Sequence, residues 1–284
     1  IFVAVLVFVA ILRWALSAFR AAKLAHGHGT SSATDEAAFL ILEALHLPVD
    51  DINPWLDARL LDAEKQHLAA LIRARIETRK PTAYLVKRAY IHGIPFYVDE
   101  RVIVPRSFIG ELMFSGIFGG DEAPLIEDVS GVTSVLDLCT GSGCLAIIAA
   151  GIFPVAEVDA ADLSPDALEV ARINVEEHGL DDRVNLLEGD LFAAVEGRTY
   201  DLIISNPPYV AGGEVDAFPR EYRHEPVMAH LGGEDGLDLV RRILAEAADH
   251  LNPGGGLLCE IGTGRDRLVD DYPQLDFLWL DTEE

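Results

Sequence analysis

Thr133-Ser134-Val135-Leu136-Asp137-Leu138-Cys139-Thr140-Gly141-Ser142-Gly143-Cys144 is the stretch whose reading decides the fold. An aliphatic run ends near an acid, passes a small-residue turn with glycines at 141 and 143, and opens onto the apolar stretch 145–153. Aliphatic residues in a short run suit a buried strand, and the glycines allow a sharp reversal with close backbone approach to a ligand. The turn opens a helix, whose N-terminus offers free N–H groups to a ligand. Strand, glycine turn and helix together begin a parallel α/β sheet.

The alternation continues downstream. Candidate strands lie at 134–138, 157–162, 184–188, 201–205, 256–260 and 277–280, with the clearest helices at 165–178 and 236–251. A parallel sheet covered on both faces binds its ligands at the carboxyl ends of its strands, so residues just after strands carry the functional reading.

Upstream the pattern differs. From about residue 2 to 85, apolar residues recur at three- and four-residue spacing, broken by Gly27-His28-Gly29-Thr30-Ser31-Ser32, Pro48 and Pro54. Thr34 or Asp35 is expected to cap a second helix ending near Leu45, and 62–80 a third. Residues 89–97 and 101–104 read as short strands, and 107 to about 118 as a helix followed by a polar loop to Gly131. The expected organisation is a helical substrate-recognition domain over 1–86, a β-hairpin linker over 87–106 and a Rossmann-like domain over 107–284. The apolar run 1–12 is shorter than the roughly 20 residues of a membrane span and lacks signal-peptide flanks. It reads as a packed helix, with a membrane anchor cut short as the alternative. Opening on Ile1 rather than Met, the sequence reads as beginning inside a longer protein.

Composition narrows the partners. Of 284 residues half are hydrophobic, enough for a real core, and 22 Lys and Arg face 47 Asp and Glu, a formal charge of −25. Such a surface repels nucleic acid, whose affinity rests on phosphate neutralisation, and steers basic partners toward it; a solubility adaptation is the plainer explanation. Membrane contact is not expected. Cys139, Cys144 and Cys259 are odd in number and lack metal-ligand pairing, which fits a reduced cytoplasm and no metal.

Three motifs carry chemistry. Asp137, Thr140, Gly141 and Gly143 form the first, with Asp162 at the end of the next strand, about 20 residues on, where an acid takes ribose hydroxyls. Ala146 replaces the third glycine of a dinucleotide fingerprint, a tolerated change, and Asp137 suits a cationic or amino-acid-bearing ligand better than pyrophosphate. The second is Gly189-Asp190-Leu191-Phe192, in which Asp190 can accept from an adenine amine and Phe192 can pack on the ring. Helix capping is the competing role for Asp137, Asp162 and Asp190. The third is Ser205-Asn206-Pro207-Pro208-Tyr209. Neither proline has an N–H, so this stiff corner offers acceptors and few donors: the Asn206 side-chain oxygen and the Pro207 carbonyl can accept both hydrogens of an –NH₂ group, and Tyr209 offers a flat face. A rigid turn without chemistry is the alternative.

With the glycine loop, Asn206-Pro207-Pro208-Tyr209 resembles the class I amino-methyltransferases. The helical N-terminal region, Arg79-Lys80-Pro81-Thr82-Ala83-Tyr84-Leu85 and Val104-Pro105-Arg106 narrow the resemblance to the protein-(glutamine-N) methyltransferases. Several segments look like the branch acting on large-subunit ribosomal protein L-three: His26-Gly27-His28-Gly29-Thr30, Phe96-Tyr97-Val98-Asp99-Glu100-Arg101, Val104-Pro105-Arg106-Ser107, Leu136 to Cys144 and Glu221-Tyr222-Arg223-His224-Glu225-Pro226. The release-factor branch typically differs after Pro105-Arg106 and in the glycine loop. The resemblance implies S-adenosylmethionine among Asp137, Thr140, Gly141, Gly143, Asp162, Asp190, Leu191 and Asn206, and a target glutamine on Asn206, Pro207, Pro208 and Tyr209. It also implies Arg106, with Glu111, near the site mouth, either touching substrate or salt-bridging each other, and substrate recognition by residues 222–225. A basic ribosomal protein, met before ribosome assembly, is the expected substrate. Release factors, a flipped DNA adenine and a non-catalytic scaffold are the competing readings. The apolar 1–12 departs from the family, as does the end at Glu284, where the family fold continues with an antiparallel strand; an exposed edge at 277–280 is therefore expected.

Overall fold

The computed structural model describes residues 8–119, 125–126 and 128–280. Most of the apolar run 1–12 and the middle of the polar loop before Gly131 lie outside the described residues. The chain divides into two compact units, one running to Glu100 and including Phe218–His224, the other taking Arg101–Ala217 and the chain from Glu225 on.

The first unit is helical. It contains α1 (Phe8–Ala22), α2 (Ala33–Ala44), α3 (Asp62–Thr78), α4 (Thr82–Val86) and a hairpin of β1 (Ala89–Ile91) and β2 (Ile94–Phe96). On α1 the buried residues Phe8, Ile11, Ala15 and Phe19 repeat every three or four positions, which lays one stripe along the core. They meet Ala37, Leu40 and Ile41 of α2 and Leu68 and Ile72 of α3. The cap of α2 is Ser32, whose hydroxyl accepts from the Asp35 N–H; neither Thr34 nor Asp35 takes that position. Asp35 instead accepts from the hydroxyls of Ser31 and Ser32. A buried polar knot sits inside this core. Glu36 accepts from Arg75 Nε at 2.5 Å and Thr82 Oγ1 at 2.7 Å, and His26 Nδ1 lies 2.5 Å from its other oxygen. In the same unit Glu221 accepts from the Ala25 N–H and from Arg79, the Tyr222 ring lies 4.3 Å from that of His28, and His224 Nε2 is 2.9 Å from the Thr78 carbonyl.

The second unit opens with α5 (Phe108–Leu112) and continues through β3 (Ser134–Leu138), α6 (Cys144–Ile152), β4 (Glu157–Asp162), α7 (Pro165–Glu177), β5 (Val184–Glu188), β6 (Tyr200–Ser205), α8 (Gly212–Val215), α9 (Asp238–Glu246), β7 (Leu251–Cys259) and α10 (Arg265–Asp271). The strands form one parallel sheet in the order β5-β4-β3-β6-β7. Val135, Leu136, Asp137 and Leu138 of β3 are all buried, as expected for a parallel strand covered on both faces. Chain order reverses beside β3: β4 lies on one side of it and β6 on the other. The crevice at the carboxyl ends of β3 and β6 is the place where such a sheet binds ligands.

Several expected elements differ. The strand expected over 89–97 folds back on itself as the hairpin of β1 and β2, and the helix expected over 236–251 is α-helical only from Asp238 to Glu246. Residues 101–104 form a turn and not a strand, because the Val104 N–H is given to the Glu225 carboxylate instead of a ladder. The helix expected from 107 stops at Leu112. Residues 277–280 form no strand. Phe277 and Trp279 pack instead on the cluster of Leu237, Val240 and Leu268, and the Arg265 guanidinium lies 4.6 Å from the Trp279 ring. Their alternation reads like a strand, yet side-chain packing uses it without a partner ladder.

Candidate active site

Asp137 is fully buried near the end of β3. Its Oδ2 accepts from Thr140 Oγ1 at 2.6 Å and from the Ala146 N–H at 3.1 Å, which ties the glycine turn to the first turn of α6. Its Oδ1 is buried with no hydrogen-bond partner among the described residues. Burial pushes the Asp137 carboxyl up to about 7, against the pull of the Thr140 and Ala146 hydrogen bonds and with a further push from Asp162. Such a group is completed by a nearby cation. Asn174, also fully buried, donates to the Ser142 carbonyl and fixes the loop from α7; nothing in the local sequence signals that role. Gly143 has φ +79°, and a Cβ there would come within 3.2 Å of Ala171. This glycine serves helix packing, and it does not line the cavity.

A cavity of about 300 Å³ opens over these strand ends. From the sequence-derived set it gathers Gly141, Asp162, Asp190, Leu191, Asn206 and Pro208, with Cys139 beside them. Asp137, Thr140 and Gly143 support it without lining it. Asp162 accepts from the N–H groups of Gly141 at 2.8 Å and Ser164 at 2.9 Å. Burial raises its pKa against those bonds. Asp190 lines the cavity while accepting from Arg242 at 2.9 Å, and no capping bond from its side chain is present. Arg101 is the one Lys or Arg among the described lining residues, and it bridges to Glu169. The cavity therefore favours a cationic ligand.

Phe192 does not serve as a ligand platform. It is buried, stacked on His250 at 4.5 Å between ring centroids, and absent from the cavity wall. Leu191, at φ +52°, takes the cavity position instead. Cys139 was missed by sequence reading; it holds φ +60° and lines the cavity. Burial, with Asp162 and Asp137 nearby, keeps its thiol protonated.

At the end of β6, Ser205 Oγ donates to the Leu138 carbonyl at 2.9 Å and locks the two strand ends side by side. Asn206 follows, half-buried, on the cavity wall, with no side-chain hydrogen bond to protein among the described residues. Pro207 is buried and Pro208 lines the cavity. Tyr209 does not line it: its hydroxyl donates to Glu260 at 3.0 Å, and Glu260 also accepts from Ser107 and the Phe108 N–H. Gly236 passes so close that a Cβ would stand 2.3 Å from the Tyr209 carbonyl oxygen, at φ +82°. Gly236→Ala is expected to cost at least about 2 kcal/mol in stability through strain and overlap, measured by denaturant unfolding. Arg106 does not line the cavity either; both arms of its guanidinium engage Glu225, and Glu111 is not its partner.

Comparison with known proteins adds relatives to this geometry. The methyltransferase small domain family matches residues 124–220. The chain is 57% identical over 274 residues to the ribosomal protein uL3 glutamine methyltransferase of Bradyrhizobium diazoefficiens, covering 96% of this chain and 86% of that protein. It is 51% identical to the protein of the same name from Bordetella pertussis, covering 96% and 90%, and 54% identical to that of Neisseria meningitidis serogroup B, covering 96% and 88%. A crystal structure of a methyltransferase from Pyrococcus furiosus matches at 24% identity with a TM-score of 0.45, over 69% of this chain and 81% of that one.

Proposed function

Because the chain belongs to the ribosomal protein uL3 glutamine methyltransferases, we propose that it transfers a methyl group from S-adenosylmethionine to the side-chain amide nitrogen of a glutamine in ribosomal protein uL3, at the corner formed by Asn206. The observation that carries the reading is the position of Asn206: an uncommitted carboxamide on a donor-poor proline corner, beside an acidic cavity at the point where the strand order reverses.

S-adenosylmethionine, when bound, supplies an electrophilic methyl carbon on a cationic sulfonium. Asp162 and Asp190 are the residues that fit it as acids on the cavity wall, and Asp137 stands behind that wall, its uncommitted buried oxygen favouring a cation through the field of its charge. The Asn206 oxygen and the Pro207 carbonyl accept the two amide hydrogens of the glutamine, which polarises and orients a nitrogen whose lone pair is otherwise delocalised. That nitrogen takes the methyl, leaving a neutral thioether, and the displaced amide proton passes to water by way of the Asn206 and Pro207 oxygens that hold it. Cys139, held as a thiol, is not a competing nucleophile.

The charge of −25 draws a basic ribosomal protein and disfavours the RNA-coated particle, so methylation precedes assembly and takes place in the cytoplasm. The helical unit is assigned to recognition of that protein. Labelled methyl transfer to purified uL3, purified release factor and assembled large subunits tests the reading. Label in free uL3, with little in subunits, is expected; label in release factor and none in uL3 overturns the substrate.

Cofactor affinity carries a pH signature. The raised Asp137 carboxyl, at about 7, binds a cation when ionised and resists it when protonated. Affinity for S-adenosylmethionine is expected to be flat above pH 7 and to fall by up to about tenfold per unit below it, read by calorimetry between pH 5.5 and 8.5. A profile flat across that whole range removes Asp137 from the site.

A further inference from the structure

The Glu225 side chain has no exposed surface. Its Oε1 accepts from the Val104 N–H at 2.9 Å and from Arg106 Nη1 at 2.6 Å, and its Oε2 accepts from Arg106 Nη2 at 2.8 Å. His230 Nε2 lies 3.0 Å from Oε2, outside hydrogen-bond alignment. These partners belong to two separate segments. Residues 101–103, directly before Val104, form one part of the cavity wall, and Pro226, Met228, Ala229 and Leu231, around His230, form another. The second segment is tied onward to the corner after Asn206, since the His230 carbonyl accepts the Val210 N–H at 2.8 Å and the Gly232 N–H returns to the Val210 carbonyl at 2.9 Å. Glu225 directly precedes Pro226 in the chain, so one buried carboxylate on the second wall holds the first wall through Val104 and Arg106.

We propose that Glu225 is a positioning residue for methyl transfer: it holds residues 101–104 and 226–231 together as the walls of the cofactor cavity beside Asn206. The proposal rests on the reading of that cavity as the S-adenosylmethionine site. Glu225 does not line the cavity, so it acts through the segments that do. Arg106, which the resemblance put near the site mouth either touching substrate or bridging Glu111, is the cation that neutralises it.

Glu225→Gln keeps the shape and removes the charge opposite Arg106. The Kd for S-adenosylmethionine is expected to rise about tenfold, as walls displaced by a fraction of an ångström fit less well, while kcat at saturating cofactor and uL3 falls no more than about threefold. Adding Arg106→Met removes the cation that has lost its opposing carboxylate, so the double variant binds cofactor no more weakly than Glu225→Gln alone; a purely additive loss contradicts the pairing. Should Glu225→Gln fail to fold, Arg106→Lys, which keeps the charge and loses the two-pronged contact, must weaken cofactor binding at least threefold. Wild-type protein that fails to bind S-adenosylmethionine overturns the cavity reading itself. Wild-type binding with an unchanged Kd in Glu225→Gln overturns the positioning role alone, as does a kcat loss of a hundredfold at unchanged Kd.

Discussion

Asn206→Ala is expected to lower kcat for methyl transfer to uL3 by a factor on the order of 10²–10³, with S-adenosylmethionine affinity changed only a few-fold. The factor is that of removing one preorganised hydrogen-bonding group aimed at the reacting centre. Asn206 is suited to the role because its carboxamide is not spent on the protein and because the Ser205 bond to the Leu138 carbonyl holds its backbone against β3. Asn206→Asp sharpens the test. It restores an acceptor but no donor and adds a charge beside Asp162 and Asp190, so it recovers only part of the rate. Single-turnover transfer at saturating cofactor reads both variants, and a rate within threefold of wild type for Asn206→Ala removes Asn206 from the chemistry.

Arg75→Leu is expected to destabilise the first unit by about 3–5 kcal/mol, because it leaves the Glu36 carboxylate buried without its cation. Both side chains are nearly inaccessible, at 1% and 4%, so solvent cannot take over from the lost partner. Replacing Glu36 and Arg75 together by leucine is expected to recover much of the loss. Burial alone would raise the Glu36 pKa, but the Arg75 charge and hydrogen bonds from Arg75, Thr82 and His26 outweigh it and hold the carboxyl below the ordinary glutamate range. In wild type this group therefore contributes stability above that range, and the contribution is lost as pH falls through the depressed native value. In Arg75→Leu the sign inverts and stability rises as pH falls toward 4. Urea unfolding followed by tryptophan fluorescence, with Trp14 and Trp55 reporting on the first unit, checks both statements. A loss below 1 kcal/mol contradicts the account of the knot.

What could be read from the residues is what local chemistry decides. The strands at 134–138, 157–162 and 184–188 have the expected ends, since each is a short run bounded by turn residues. The corner at Asn206 was legible because two prolines fix their own backbone. Long-range partners were not. Phe192 turns to His250, 58 positions on, Tyr209 spends its hydroxyl on Glu260, and Arg106 finds Glu225 instead of the nearby Glu111. No spacing rule encodes such pairs. The segment 277–280 shows the converse error: an alternating pattern states which side chains are buried, and a ladder requires a partner besides.

Tandem mass spectrometry of uL3 after incubation with the protein and isotopically labelled S-adenosylmethionine tests the central claim most directly. One labelled methyl group on a glutamine side-chain nitrogen is expected, its formation slowed on the order of 10²–10³-fold when Asn206→Ala replaces the wild type. Label on a lysine, on an N-terminus or on the backbone, or label at the glutamine that survives Asn206→Ala at full extent and rate, would contradict it.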